Sequence, residues 1–243
     1  MYAEIARYYD KIYSFKDYAG EAKRLTSIIH SHVRSEGRRL LDIACGTGRH
    51  LEYLKGHFEV EGLDASEEML ELARQTNPGV PLHQADMADF NLSRSFDAVT
   101  CLFSSIGYLK TKERLTRALT CMAQHLVPGG VLVIEPWFTA ESWHPGSVHG
   151  LLIDDPELKI ARVNTSFVDG LISYFDLHYL IGTPQGTDHY VEHHELGLFE
   201  TEEVQGILSE LGLEVTYDEE GLTGRGLFVA RLPVGCRLSP VSA

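Results

Sequence analysis

Short apolar runs alternate with amphipathic stretches through the middle of the chain. The apolar runs are RRLLDIA, FEVEGLD, VPLHQAD, FDAVTCLF and GGVLVIEPW, and stretches such as SEEMLELARQ and ERLTRALTCMAQHL stand between them. This alternation is typical of βαβ units, whose parallel strands are covered by helices on both faces. Because such crossovers are right-handed, the units give a doubly wound sheet. The pattern predicts an α/β fold with a Rossmann-like core over residues 38–136 and 200–232.

Two segments depart from this pattern. Residues 1–37 carry apolar positions at helical spacing, which predicts an N-terminal helical segment. Residues 137–199 contain the strand-like runs LKIARVNTSFV, LISYFDLHYLIG and HYVEHHELGLF, with turn residues between them. We expect this stretch to form a small antiparallel sheet, inserted before a last helix and two last strands.

Composition and charge narrow the possible partners. The chain has 243 residues, of which 44% are hydrophobic and 23% charged, as in ordinary globular proteins. This length fits one large domain or one domain with an insertion. The formal net charge of −14 repels phosphate backbones, so nucleic acid is disfavoured as a partner. A small anionic ligand held by one or two local arginines remains possible.

The cysteines and the N-terminal segment indicate the cellular compartment. Cys45, Cys101, Cys121 and Cys236 are far apart and include no CxxC pair, so neither a zinc framework nor a disulfide scaffold is expected. A reduced, cytoplasmic setting fits this usage best. The start MYAEIARYYDKIY has no apolar core of a signal peptide, and no apolar run reaches about 18 residues. We therefore expect neither secretion nor a membrane partner.

A glycine turn stands between the first predicted strand and a helix. In Asp42-Ile43-Ala44-Cys45-Gly46-Thr47-Gly48, the glycines permit positive φ angles and a close approach of a ligand to the backbone. A dinucleotide fingerprint needs a third glycine three residues after Gly48, where this chain has Leu51. The sequence therefore favours a ligand held without a pyrophosphate contact here.

Acidic residues end the next two predicted strands. Asp64 ends FEVEGLD, where a carboxylate can accept hydrogen bonds from both hydroxyls of a ribose. Asp86 and Met87 follow the third strand, where an acid can accept an adenine amino hydrogen while methionine packs on the ring. Open α/β sheets bind ligands at the carboxyl ends of their strands. The three strand ends together predict a nucleoside site; the alternative is a glycine turn with ordinary surface acids.

These features resemble the class I S-adenosylmethionine-dependent methyltransferases. The resemblance rests on the Asp42–Gly48 loop, Asp64 and LVPGGVLVIEPW, and covers about residues 38–135 and 212–231. It implies a seven-stranded sheet with the last strand antiparallel and S-adenosylmethionine across the first three strand ends. The cofactor contacts we expect are Tyr18, Ala44, Cys45, Gly46, Gly48, Asp64, Ala65, Asp86, Met87 and Phe103.

A narrower resemblance extends over nearly the whole chain. CLFSSIGYL, VIEPWF, VEHHELGLFE and GRGLFVA are similar to the N,N-dimethyltransferases that act on nucleotide-linked amino sugars in macrolide antibiotic biosynthesis, of the desosamine and mycaminose type. This implies a dTDP-sugar acceptor, a dimethylamine product and no metal. The family has histidine where this chain has Tyr108, and the segment between Tyr13 and Lys16 is shorter here. A methyltransferase for another small-molecule acceptor (oxygen, carbon or another amine) therefore stays open, as does cofactor binding without turnover.

Methyl transfer needs mainly alignment of nitrogen, methyl and sulfur, with loss of a proton from the amine to a phenol, imidazole or water chain. We predict catalytic roles for Tyr13 and Tyr108. Tyr108 lies after the fourth strand, where acceptor contacts are expected. The alternatives are a core aromatic at Tyr13 and an ordinary loop tyrosine at Tyr108. The N-terminal helices would close over the site as a lid.

The acceptor pocket is expected to involve the inserted sheet. Arg162 and Arg225 are candidate readers of the phosphates, because a guanidinium can bind phosphate oxygens in bidentate fashion. His178 is either a core histidine or a polar wall of the pocket, and Trp137 is either an apolar wall or core. Ser166 completes the predicted substrate contacts. The neighbouring His193 and His194 face opposite sides of a strand, so no metal site is expected. A homodimer is possible.

Overall fold

The computed structural model describes residues 5–236 and 238, and the strands within them form two β-sheets. In chain order, the strands are β1 (Arg39–Ile43), β2 (Glu59–Asp64), β3 (Leu82–Gln84), β4 (Phe96–Cys101), β5 (Leu126–Ile134), β6 (Val148–Asp154), β7 (Lys159–Thr165), β8 (Phe167–Asp169), β9 (Ile172–Thr183), β10 (Gly186–Gly197), β11 (Glu214–Asp218) and β12 (Leu227–Arg231). The helices are α1 (Ala6–Ile12), α2 (Tyr18–His32), α3 (Arg49–Leu54), α4 (Glu67–Thr76), α5 (Lys112–Gln124) and α6 (Thr201–Glu210).

The central sheet has seven strands in the order β11-β12-β5-β4-β1-β2-β3. Strands β1 to β5 pair in parallel, while β12 runs antiparallel to both β5 and β11. The predicted doubly wound sheet with an antiparallel last strand is confirmed. The chain order reverses between β1 and β4, and ligands bind such sheets at this switch point.

Adjacent residues of β1 belong to opposite faces of the sheet. Leu41 packs in the cluster that contains Leu119 of α5, and Leu40 in the cluster that contains Leu25 of α2. All four side chains are fully buried. Burial of a leucine contributes about 1.5–3 kcal/mol, so both helical layers are held firmly on the sheet. None of the described helices is long and apolar enough to cross a membrane.

The second sheet is antiparallel, with the order β10-β9-β7-β6, and β8 pairs with β9. It confirms the inserted antiparallel sheet of the predicted fold, but β6 was missed. In VHGLLID, three apolar residues stand together after Gly150, so the sequence lacks a clear alternation. The strand lies at the sheet edge and is mostly exposed, which removes the need for one apolar face.

Helix α1 lies against the inner face of the inserted sheet. Its Ile5 and Ile12 side chains are buried in a cluster with Ile160, Leu177 and Tyr179. On the other side, the Thr47 hydroxyl in the glycine turn donates to Oδ1 of Asp10, at 2.6 Å. Helix α1 therefore connects the two sheets above the carboxyl ends of the central strands.

Candidate functional site

The glycine turn after β1 has three residues in the left-handed region, with φ angles of 56° at Ala44, 55° at Gly46 and 76° at Gly48. A Cβ at Gly46 would meet nothing within 4 Å, so this backbone borders open space. A Cβ at Gly48 would lie 2.6 Å from the Asn77 amide. Gly48 thus permits close packing against the end of α4, and it is not among the residues that line the cavities described below.

A cavity of about 520 Å³ opens at the carboxyl ends of β1, β2 and β3, a volume typical of small-molecule sites. A smaller cavity shares Ala44 and Gly46 with it. Of the expected cofactor contacts, Ala44, Gly46, Asp64, Ala65, Asp86 and Met87 line the larger cavity. Tyr18, Cys45 and Phe103 line the smaller one. Nine of the ten predicted positions therefore line these two neighbouring cavities. Their contacts with a cofactor stay a prediction.

Asp64 links the glycine turn to the start of α4. Its Oδ2 accepts from the Gly46 amide at 2.8 Å, and its Oδ1 from the Ser66 amide at 2.9 Å. Burial raises the pKa of Asp64, and these backbone hydrogen bonds oppose that shift. Each carboxylate oxygen retains a lone pair for a further donor such as a ribose hydroxyl.

Asp86 is held from α5. Arg114 Nη2 donates to both of its carboxylate oxygens, at 2.8 and 3.1 Å. Burial would raise the pKa of Asp86, but the Arg114 hydrogen bond and the Ala88 amide lower it overall. An adenine amino group at this rim of the cavity would share the carboxylate with Arg114, a partner of Asp86 that is not visible in the sequence pattern.

Aromatic and cationic side chains form a second wall beside this cavity. The Tyr13 ring stands edge-on to Phe103, with centroids 5.3 Å apart. Arg162 Nη1 lies 3.4 Å from the Tyr13 hydroxyl. Burial raises the pKa of Tyr13, and the Arg162 charge opposes this rise. The Nε of Arg162 is buried and has no hydrogen-bond partner.

Arg225 reaches the same region from the loop before β12. Its Nη1 donates to Ser104 Oγ at 3.0 Å, and its guanidinium lies 5.3 Å from the ring centroids of Trp137 and Phe138. Trp137 Nε1 donates to Ser173 Oγ of the inserted sheet, at 2.9 Å. Trp137 thus joins the central sheet to the insertion and forms an aromatic surface under Arg225.

Glu135, at the end of β5, organises the loops around this region. It is fully buried, and its Oε2 accepts from the Phe103 amide at 2.7 Å. Its Oε1 accepts from the Thr223 hydroxyl at 2.5 Å. Phe103 and Ser104 both have positive φ angles, so this carboxylate fixes an otherwise unfavourable backbone. Glu135 lies within the VIEPWF motif, but its role in holding these loops is not visible in the sequence.

His178 and Ser166 are placed differently from expectation. His178 is exposed on the outer face of β9 and stacks on His189, so it is neither a core histidine nor a wall of the pocket. Strand alternation is the reason, since Leu177 and Tyr179 take the inner face. Ser166 is buried where β7 passes into β8, and its backbone bonds Gly146 and Ser147. It lines neither of the two cavities.

Tyr108 lines the larger cavity and is backed by a buried histidine. Its hydroxyl lies 2.9 Å from His194 Nδ1, and His194 Nε2 lies 3.8 Å from Glu192 Oε2. His194 and Glu192 face inward, whereas His193 is exposed and pairs with Asp176, as the strand period predicts. Within residues 5–236 and 238, no group of three His, Cys, Asp or Glu could hold a metal. His193 and His194 were weighed as metal ligands, and the contact of His194 with Tyr108 was not predicted.

Comparisons with known proteins identify the family. A sequence family described as a methyltransferase domain matches residues 40–130. The dTDP-3-amino-3,4,6-trideoxy-α-D-glucopyranose N,N-dimethyltransferase of Streptomyces venezuelae is 42% identical, over 88% of this chain and 91% of that protein. The dTDP-3-amino-3,6-dideoxy-α-D-glucopyranose N,N-dimethyltransferase of Streptomyces fradiae is 41% identical, over 93% of this chain and 89% of that protein.

A solved structure extends the likeness to three dimensions. S-adenosylmethionine-bound CalS10, an amino pentose methyltransferase of Micromonospora echinaspora involved in calicheamicin biosynthesis, is 40% identical, with a TM-score of 0.82 over 89% of this chain and 92% of that chain. The high identity over almost the full length shows family membership as well as fold. The chain belongs to the S-adenosylmethionine-dependent methyltransferases, in the family of the dTDP-amino-sugar N,N-dimethyltransferases.

Proposed function

We propose that this enzyme methylates the amino group of a dTDP-linked amino sugar twice, with S-adenosylmethionine as the methyl donor. The observation that carries the proposal is the convergence of Arg162 and Arg225 on the aromatic wall beside the nucleoside cavity. The charges of both guanidinium groups act on Tyr13, and two such groups in a chain of net charge −14 suit a pyrophosphate. The activities of its relatives support the sugar and a role in antibiotic biosynthesis.

The residues of the larger cavity fit the cofactor. The open space at Gly46 admits its amino-acid part, Asp64 offers free lone pairs to the ribose, and Met87 an apolar contact to the adenine. When bound, this cofactor supplies a methyl group already activated by a sulfonium. The protein's main task is then to hold the amine in line with that methyl group.

The acceptor would lie against the second wall. The buried, unpartnered Nε of Arg162 supports an anionic ligand, because a buried donor without a partner costs free energy. Arg225 would share the pyrophosphate oxygens from the opposite loop. Trp137 would give the thymidine or sugar an apolar surface, and Tyr13 would position the amine between this wall and the cofactor.

The N-terminal segment, residues 1–37, would act as a lid, although residues 1–4 lie outside the described part of the chain. Asp10 contacts the glycine turn through Thr47, and Lys11 forms an ion pair with Asp155 of the insertion. Helix α1 therefore has a partner on each side of the cleft. Closure of such a segment excludes water and orders the reacting groups.

We further propose a homodimer in the cytoplasm. The outer face of the inserted sheet exposes apolar side chains on four neighbouring strands, namely Leu152, Val163, Leu180 and Val191. Exposed apolar patches of this kind mark interaction sites, and two-fold dimers are the commonest assembly. The four free cysteines support a reducing compartment.

The test is a panel of acceptors incubated with enzyme and S-adenosylmethionine and followed by mass spectrometry. The panel contains dTDP-3-amino and dTDP-4-amino sugars, the matching unphosphorylated amino sugars and dTDP-glucose. We expect a dTDP-amino sugar to gain one and then two methyl groups, and dTDP-glucose to gain none. Preference for an unphosphorylated amine, or transfer to an oxygen of dTDP-glucose, would overturn the proposal.

A further inference from the structure

We propose that Tyr108, His194 and Glu192 form a proton relay that takes a proton from the ammonium group of the acceptor. The inference rests on the proposed function, because it requires an amine in the cleft. Tyr108 would face the amine, and the other two residues would act through it. The Tyr108 phenol thus has the His194 imidazole directly behind it.

The three side chains form a continuous line from the cavity into the protein. Tyr108 lines the cavity, its hydroxyl lies 2.9 Å from His194 Nδ1, and His194 Nε2 lies 3.8 Å from Glu192 Oε2. His194 is held by stacking on Phe175, with ring centroids 5.3 Å apart. His194 and Glu192 are only 3% and 6% exposed. The first contact is a hydrogen bond, and the second is an ion pair whenever the imidazole is protonated.

Glu192 supplies the strongest argument that this line carries charge. Its Oε1 is buried and has no hydrogen-bond partner. A buried carboxylate is costly unless a positive charge or several donors compensate it. The nearest ring nitrogen that can become positive is that of His194. Glu192 is therefore placed to stabilise an imidazolium next to the active-site cavity.

The other groups around this line fill different roles. Tyr13 of the α1 end and Tyr179 of β9 face Glu192, and burial raises the pKa of both phenols, so they stay protonated. Arg162 of β7 is close to Tyr13 and also faces this region. Lys110 and Glu195 pair with each other beside the 3₁₀ turn Ser105–Leu109, which carries Tyr108. Among these groups, only His194 combines contact with Tyr108 and a carboxylate behind it.

In the proposed step, two linked proton transfers precede the methyl transfer. One N–H bond of the acceptor ammonium breaks and an O–H bond forms at Tyr108, while the original hydroxyl proton of Tyr108 passes to His194 Nδ1. The positive charge moves from the amine to an imidazolium that faces Glu192. The freed nitrogen lone pair then forms the N–C bond as the S–C bond breaks. When the product leaves, the proton returns from His194 through Tyr108 to water that enters the cavity, so each of two methylations uses the relay once.

The decisive variant is His194→Asn. Its amide oxygen can still accept from Tyr108 near the Nδ1 position, but it cannot take up a proton. We expect the single-turnover rate at pH 7 to fall about 30–100-fold, the size of a modest acid–base contribution, with little change in KM. The loss should shrink as the pH rises, since the amine then binds uncharged. The control is His193→Asn, the exposed neighbour on the same strand, which should keep the parent rate at every pH.

A second measurement does not depend on turnover. In enzyme with ¹⁵N-labelled histidine and bound S-adenosylhomocysteine, a dTDP-amino sugar should move the His194 ring nitrogens toward their imidazolium positions. The analogue with a hydroxyl in place of the amine should not. Glu192→Gln should abolish this change, and Glu192→Asp, which keeps the carboxylate, should restore part of it.

Two results would overturn the relay. One is a His194→Asn variant with the parent rate across the pH range, and the other is an equal loss at all pH values together with unchanged ¹⁵N positions in the parent. These outcomes are separate from a failure of the proposed function. If the parent methylates a different amine, the same pH profiles and spectra are recorded with that amine.

Discussion

At the scale of single residues, the floor of the site contains a carboxylate that the fold makes costly to ionise. Asp42 is 2% exposed at the end of β1, and its Oδ1 accepts from the Thr100 hydroxyl at 2.7 Å. Burial raises the pKa of Asp42 from 3.8 to about 6, although His50 and the Thr100 hydrogen bond oppose the shift. The native state therefore resists ionisation of this group more than the unfolded chain does.

Asp42→Asn should stabilise the protein at neutral pH. Because the folded pKa lies above the unfolded one, the parent loses stability as the pH rises from about 4 through 6. The amide cannot ionise and still accepts from Thr100, so the difference in unfolding free energy should grow over that range, to about 1–3 kcal/mol. Urea unfolding at pH 4.5 and 7.5 measures it. The exposed Asp89→Asn is the control, and a stability difference that shrinks toward neutral pH would contradict the prediction.

Arg225→Lys should weaken binding of the acceptor selectively. The variant keeps the charge but loses the fork that bonds Ser104 and covers Trp137. We expect KM for a dTDP-amino sugar to rise about 10-fold, which corresponds to about 1.4 kcal/mol, while affinity for S-adenosylmethionine stays constant. Steady-state kinetics and calorimetry measure the two. Arg231→Lys, at the far end of β12, should leave both unchanged. A loss of cofactor affinity in Arg225→Lys would contradict the prediction, because it would show that this arginine acts at the cofactor site.

The sequence predicted residues whose role follows from backbone geometry. Gly46 and Asp64 were found because strand ends and glycine turns are visible in the local pattern. Arg114 and Glu135 were not, because their partners lie far away in the chain and only the folded sheet brings them together. His178 was misplaced because the sequence showed a strand but not which of its faces turns toward the core.

At the scale of elements, α1 is held by polar contacts on two sides, from Asp10 to the glycine turn and from Lys11 to the insertion. Thr47→Val removes the hydroxyl that bonds Asp10, a contact worth about 0.5–1.5 kcal/mol. If α1 is a lid, S-adenosylhomocysteine should dissociate about 2–10-fold faster, measured by stopped-flow fluorescence. Thr76→Val, whose hydroxyl bonds only a carbonyl of its own helix, is the control. Equal dissociation rates in the parent and Thr47→Val would argue against a lid held by this contact.

The elements themselves were predicted unevenly, for a physical reason. Buried strands such as β4 and β5 are continuous apolar runs, and amphipathic helices such as α5 keep one apolar stripe. Edge strand β6 has neither signal, because it pairs on one side only and faces solvent. The 3₁₀ turn that carries Tyr108 also escaped prediction, since its positive φ angles at Phe103 and Ser104 depend on the distant Glu135.

At the scale of the whole molecule, the outer face of the inserted sheet exposes apolar side chains on neighbouring strands. Leu180, 52% exposed, pairs with Ala161 of β7 and His189 of β10 near the middle of this face. A second copy of the chain would remove this surface from water. The proposed dimer thus places the two active sites on the far side of each inserted sheet.

Leu180→Glu should convert the protein into a monomer, because a charge at the centre of an apolar interface has no partner. Light scattering after size-exclusion chromatography measures the mass, and melting curves check that the fold is intact. Val234→Glu, which exchanges another exposed apolar residue away from this sheet, should not change the mass. A parent protein that is monomeric at high concentration would contradict the proposed dimer.

The inserted sheet leaves the central fold after β5 and rejoins it at α6. Everything between these two points, including Arg162, Glu192 and His194, can change without altering the register of the seven-stranded sheet that carries Gly46 and Asp64. Much of the acceptor wall can therefore be exchanged as one continuous segment, while Tyr13, Tyr108 and Arg225 lie outside it. A chimera that exchanges residues 137–199 with those of a relative should inherit the relative's sugar while its donor site stays as it is here.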